Sequence, residues 1–165
     1  MYKELPKRKQ IRLDGFDYSS RGMYFVTICI SGRHAMLWEN DGIDQGKLAS
    51  EREIRLSEYG IVVEKAIKEI PDKYANVFVN KFCIMPDHIH MILLLRPDMR
   101  GRMISAPTLS TIVGQMKRWV SRQVGFSIWQ KSFYDRIIRD EEEYKQICKY
   151  IDENPIKIRI VGEHM

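Results

Sequence analysis

No stretch of this 165-residue chain approaches the eighteen or so apolar residues that a membrane-spanning helix needs, so a helical span is excluded. The start, with Lys3, Glu4, Lys7, Arg8 and Lys9 and no apolar segment behind them, is not expected to act as a secretory signal. Cysteine is scarce. Cys29, Cys83 and Cys148 are odd in number and lie in apolar patterns, which argues against a disulfide scaffold and for reduced thiols in the cytoplasm. Internal repeats and low-complexity tracts are missing too, so no solenoid or linker has to be explained. What is there, 44% hydrophobic and 30% charged residues, is the composition of a folded chain long enough for a single domain over 1–165. The net charge of +5 and pI near 9.1 suit a polyanionic partner without requiring one.

The stretch with the most chemistry in it is Met85-Pro86-Asp87-His88-Ile89-His90, which runs on into Met91-Ile92-Leu93-Leu94-Leu95. Residues 76–85 read as a strand rich in Val, Phe and Ile, Pro86-Asp87 interrupts it, and His88 to Leu95 reads as a second strand. Strand side chains alternate faces with period two, so His88 and His90 point the same way, roughly 7 Å apart at their Cα atoms. Ile92 and Leu94 continue that face, and Ile89, Met91, Leu93 and Leu95 fill the other. Two readings stay open on this spacing alone: imidazoles that share a metal ion, or imidazoles that each bond to a neighbour at a sheet edge.

Around this pair, residues 1–12 are polar and basic, and residues 24–30 form a β-branched and aromatic run expected to be a central strand. Residues 33–38 suggest a short second strand, and 43–55 and 99–107 read as loops. Ser57 is placed to cap a helix whose stripe is Tyr59, Val62, Val63, Ala66, Ile67 and Ile70, with Pro71 ending it. A second helix, capped by Thr108 or Ser110, turns Leu109, Ile112, Val113, Met116 and Val120 inward, and Lys117, Arg118 and Arg122 fall largely on other faces. Arg136 to Arg139 is a further strand candidate. The last helix runs from about Asp140 to Asn154 with Pro155 as its stop. On it Tyr150 and Asn154 are spaced i and i+4, on one face. The order β, β, α, β, β, α, β, α, with a tight connection before His88, predicts an α+β fold with a sheet at least partly antiparallel.

Four of these segments together resemble one family, the HUH transposases with a single catalytic tyrosine, and within it the REP-associated tyrosine transposases. They are Tyr24-Phe25-Val26-Thr27-Ile28, Met85-Pro86-Asp87-His88-Ile89-His90, residues 129–139 from Trp129 to Arg139, and Tyr150-Ile151-Asp152-Glu153-Asn154-Pro155, and the likeness covers a core of about 21–157. The resemblance implies a ferredoxin-like, or RRM-like, antiparallel sheet with helices packed on it. It implies Tyr150 as nucleophile and His88, His90 and Asn154 as ligands of Mg2+ or Mn2+, of which Mn2+ suits imidazole better. Asp87 departs from the pattern, since Asn is expected there more often.

The implied activity is cleavage and rejoining of single-stranded DNA beside a hairpin through a 5′-phosphotyrosine intermediate. Lys117, Arg118, Arg122, Lys131, Arg136 and Arg139 are the expected phosphate contacts, against the alternative of a solvated basic face. A homodimer is compatible with the resemblance. The competing expectation is an RRM-like module, or a domesticated transposase, that binds hairpins without cutting them.

Overall fold

The computed structural model describes residues 22–39, 54–96 and 107–161, with side chains to Pro155, so the basic N-terminal segment and most of both expected loops lie outside the described residues. Its strands are β1 (Gly22–Cys29), β2 (Val77–Ile84), β3 (His88–Leu95) and β4 (Tyr134–Ile138). Its helices are α1 (Glu58–Lys68), the single turn α2 (Ile70–Lys73), α3 (Leu109–Val124) and α4 (Glu141–Val161). The strands pair in the order β2-β3-β1-β4 and every pairing is antiparallel. This is the ferredoxin-like α+β arrangement, with β1 and β3, the two most apolar strands, at its centre.

Alternation decides which helix covers which face. Tyr24, Val26 and Ile28 of β1 and Ile89, Met91 and Leu93 of β3 share one face, against Val63 and Ile67 of α1 and Leu109, Ile112, Val113 and Met116 of α3. The opposite face is more thinly covered: Ile147 and Ile151 of α4 pack over Ile92 and Ile138, with Phe25, Cys83 and Tyr144 at the margin. Side-chain caps set the helix starts. The Ser57 hydroxyl accepts from the Gly60 amide at 3.1 Å and donates to the Met36 carbonyl at 2.6 Å, Thr108 Oγ1 accepts from the Thr111 amide at 3.2 Å, and Asp140 Oδ1 accepts from the Glu143 amide at 2.8 Å.

Three local expectations change. Residues 33–38 form no strand: a 3-10 turn occupies Ser31–Arg33, and only an isolated bridge joins Trp38 to Leu56. Pro71 does not simply end a helix but sits in the first turn of α2, where its missing N–H would have had no partner anyway. Pro155 lies inside α4, which continues to Val161; one lost bond to the Ile151 carbonyl bends or weakens a helix without having to end it.

Candidate active site

His88 and His90 lie on the α4 face of β3, and α4 brings Tyr150 to them. His88 Nε2 and His90 Nε2 are 3.1 Å apart, and the Tyr150 hydroxyl lies 3.4 Å from His90 Nε2. Each imidazole is held from behind. His88 Nδ1 is 2.6 Å from Asp87 Oδ1, and His90 Nδ1 is 2.8 Å from Thr27 Oγ1, its register partner on β1. Phe25 stacks on His90, with centroids 5.3 Å apart and planes at 24°, and meets the Tyr150 ring edge-on at 6.1 Å. Asn154 follows Tyr150 by one helical turn, and its amide nitrogen is buried with no hydrogen-bond partner.

The protonation states follow from these partners. An ionised carboxylate only accepts, so Asp87 holds a proton of His88 on Nδ1. Burial pushes the Asp87 carboxyl up, but its bond to His88 and the charges of His88 and Arg33 outweigh this and bring it below the usual carboxylate range. His90 is 4% exposed; burial, then the charge of His88, lowers its pKa to about 4 against a small opposing pull from Asp87, so it is neutral at physiological pH.

Two imidazoles with converging Nε2 atoms suit a divalent ion. Their Nε2 atoms, 3.1 Å apart, are close enough to be shared by one ion. The orphaned amide of Asn154 fits as well. Which of its terminal atoms is oxygen is an assignment, and turning the amide over offers a carbonyl oxygen where the nitrogen now lacks a partner. His88 and His90 are thus a pair able to hold such an ion, with the exposed Tyr150 hydroxyl beside them and Asn154 one helical turn further along α4.

The profile of the family described as "Transposase IS200 like" matches residues 48–154, and so spans both histidines, Tyr150 and Asn154. The chain belongs to that family. Two proteins of Haemophilus influenzae are similar to it. One, uncharacterised, is 29% identical over 168 residues, covering 90% of this chain and 88% of its own length. The other, provisionally named a REP-associated tyrosine transposase, is 26% identical over 149 residues, covering 86% of this chain and 74% of its own. Among solved structures, a REP-associated tyrosine transposase bound to a REP hairpin shares the fold, with a TM-score of 0.63 at 19% identity over 88% of this chain and 74% of that one.

In this family member the six basic candidates do not gather at the histidines. Lys117, half-buried on α3, turns its ammonium to the carbonyls of Gln130, Lys131 and Ser132 at 2.5, 3.1 and 3.4 Å, and burial lowers its pKa. Arg118, Arg122 and Lys131 line a cleft of about 770 Å³ with Phe126, Trp129 and Phe133, built on α3 and the segment after it. That helix packs on the sheet face away from the histidines. Arg136 is on the histidine face, opposite Phe25 in the register, and pairs with Glu143 at 2.6 Å. Arg139 is exposed at the start of α4, where its amide donates to Glu143 at 2.8 Å.

Sequence reasoning missed Thr27, Phe25 and Arg33 as members of the site. Thr27 was visible as the one polar side chain inside an apolar strand, which is the signal that could have found it. Asp87 was noticed as a departure, without the bond that explains it.

Proposed function

We propose that this protein is a single-tyrosine DNA strand transferase that acts on single-stranded DNA beside a hairpin. The observation that carries the reading is the convergence of two back-bonded imidazoles and the Tyr150 hydroxyl on one sheet face, with the unpartnered amide of Asn154 one helical turn beyond Tyr150. Tyr150 is the nucleophile. Its oxygen bonds to the scissile phosphorus as the bond to the 3′-oxygen breaks, which leaves a 5′-phosphotyrosine and a free 3′-hydroxyl. Tyr150 is 44% exposed, so water can take the phenolic proton and return one to the 3′-oxygen. Because the new ester keeps the energy of the old one, another 3′-hydroxyl can attack it and rejoin the strand.

Tyrosine alone is a poor nucleophile at neutral pH, with a pKa of about 10. His88, His90 and Asn154 would hold a divalent ion, Mg2+ or Mn2+, which would supply polarisation of the phosphate and offset its developing charge. The chain's own residues do the positioning. Thr27 and Asp87 hold the two rings from behind, with both Nε2 atoms forward, and Phe25 packs against His90 and Tyr150 together. Arg136 on the same face, and Arg118, Arg122, Lys131 and Arg139 elsewhere, are proposed to meet the phosphate backbone at varying distance from the cut, while Lys117 is committed to the carbonyls of Gln130, Lys131 and Ser132. The hairpin is proposed because a structural neighbour is a transposase bound to one. Among the described residues no helix is long and apolar enough to cross a membrane, which fits work in the cytoplasm on one domain.

Incubation with hairpin-bearing single-stranded DNA and Mn2+, followed by a denaturing gel and peptide mapping, tests the reading. A covalent adduct on Tyr150, absent from Tyr150→Phe, is the expected result. Tight hairpin binding without an adduct would leave the non-catalytic binding module in its place. An adduct that survives Tyr150→Phe would move the nucleophile to Tyr134 or Tyr144.

A further inference from the structure

We propose that Asp87, clamped by Arg33, is a positioning residue that makes His88 a metal ligand by fixing its tautomer and its direction. This rests on the metal-assisted reading above and adds to it a residue outside the ligand set. The bond from His88 Nδ1 to Asp87 Oδ1, at 2.6 Å, is among the shortest at the site. The second oxygen, Oδ2, faces the Arg33 guanidinium at 3.4 Å. With both carboxylate oxygens engaged, the group is fixed against rotation and only accepts, so the His88 proton stays on Nδ1. An Asn in its place could turn either its oxygen or its NH2 to the ring and would leave the tautomer open. Asp closes that choice.

The turn that carries Asp87 is itself held. The Ile30 amide donates to the Asp87 carbonyl at 2.8 Å, the Met36 and Leu37 amides both donate to the Pro86 carbonyl at 2.9 Å, and the Met85 amide donates to the His88 carbonyl at 2.8 Å. Arg33 pays a conformational penalty to take part: at φ 57° it is the one non-glycine residue with positive φ among the described residues. A strained residue whose guanidinium faces the carboxylate behind a candidate ligand is a feature the sheet does not need for its own pairing. Carboxylate partners of this kind raise the basicity of a ligating imidazole and orient it.

The experiment is a titration of the DNA-free protein with Mn2+, in which electron paramagnetic resonance reads the free ion, together with nitrogen NMR of the imidazoles without metal. His88→Ala is expected to abolish specific binding. Asp87→Asn is expected to weaken it about tenfold and Asp87→Leu toward 100-fold. The His88 ring should change from the Nδ1–H form in the wild type to a mixture of tautomers in Asp87→Leu; if that variant does not fold, the nearly isosteric Asp87→Asn carries both readouts. Wild-type affinity or an unchanged tautomer in the Asp87 variants, with the wild type binding Mn2+ through His88, would overturn the proposal and leave the metal reading standing. A wild type that binds no Mn2+ would overturn that reading, and this proposal with it.

Discussion

Thr27→Val replaces a hydroxyl by a methyl of nearly the same size at the point where β1 supports His90. In the native protein Thr27 Oγ1 lies 2.8 Å from His90 Nδ1, and His90 is 4% exposed, so water does not substitute for the lost partner. An unsatisfied buried polar group costs about 1–3 kcal/mol. Taking about 2 kcal/mol, and about 2–4 °C per kcal/mol for a chain of this size, the metal-free protein should melt about 4–8 °C lower. A second effect separates support of the ligand from packing. His90 can bind metal through Nε2 only with its proton on Nδ1, and the Thr27 hydroxyl is placed to accept it there. Losing such a partner weakens metal affinity about 10–100-fold, or about 1.4–2.7 kcal/mol of metal-linked stability at saturation. The rise in Tm on adding Mn2+ should therefore shrink by roughly 3–11 °C. Melting curves with and without Mn2+ measure both quantities. A variant that melts within about 1 °C of the wild type and keeps the full Mn2+ response would refute the reasoning; a lower Tm with the full response would assign Thr27 to packing alone.

Gly60→Ala should be severe for want of space: its Cβ would fall 2.1 Å from the Leu37 carbonyl oxygen, which the Ser57 amide already holds at 3.0 Å. We expect a loss of about 3 kcal/mol, whereas Gly114→Ala on α3, with nothing within 4 Å of the added carbon, should gain about 0.8–1 kcal/mol from helix propensity; equal and small effects in thermal denaturation would contradict the close approach. Burial pushes the Cys83 thiol up to about 11, against the His90 backbone bond and with some help from Asp152. Its thiolate fraction at pH 8 is then on the order of 10⁻³, and native Cys83 should alkylate at least tenfold more slowly than in the unfolded chain; mass-mapped labelling at equal rates would refute this. The sign is that of a raised acid. The stability this thiol carries is complete below about pH 9 and is lost progressively as pH rises from there through about 11.

Much of the fold was legible because it is written in local pattern. The strand His88–Leu95, the split of its faces, the Ser57 and Thr108 caps and the inward stripe of α3 each follow from a period within a dozen residues. The errors are also local in origin. Residues 33–38 have strand-like composition but, among the described residues, no strand to pair with beyond a single bridge, and a proline near either end of a helix reads the same in sequence whether the helix stops or continues. At the site, the histidine pair and the Tyr150 and Asn154 spacing were visible, since each lies on one element. What sequence does not encode locally is the register that sets Thr27 opposite His90 and the fold of the 30–37 segment that brings Arg33 to Asp87. Lys117 shows the same limit from the other side: its charge was plain, but not the three carbonyls waiting for it.

The register shift in β2 has a consequence for how this molecule behaves in a crowd. Pairing with β3 slips between Val79 and Lys81, which leaves Asn80 as an extra, exposed residue on an outer strand. Such a kink spoils the straight row of donors and acceptors onto which another chain's strand would add. The other outer strand, β4, has five residues and carries Asp135 and Arg136. Neither border of the sheet is a good template for self-association, so this basic protein should stay dispersed at concentrations where a straight, apolar border would seed aggregates.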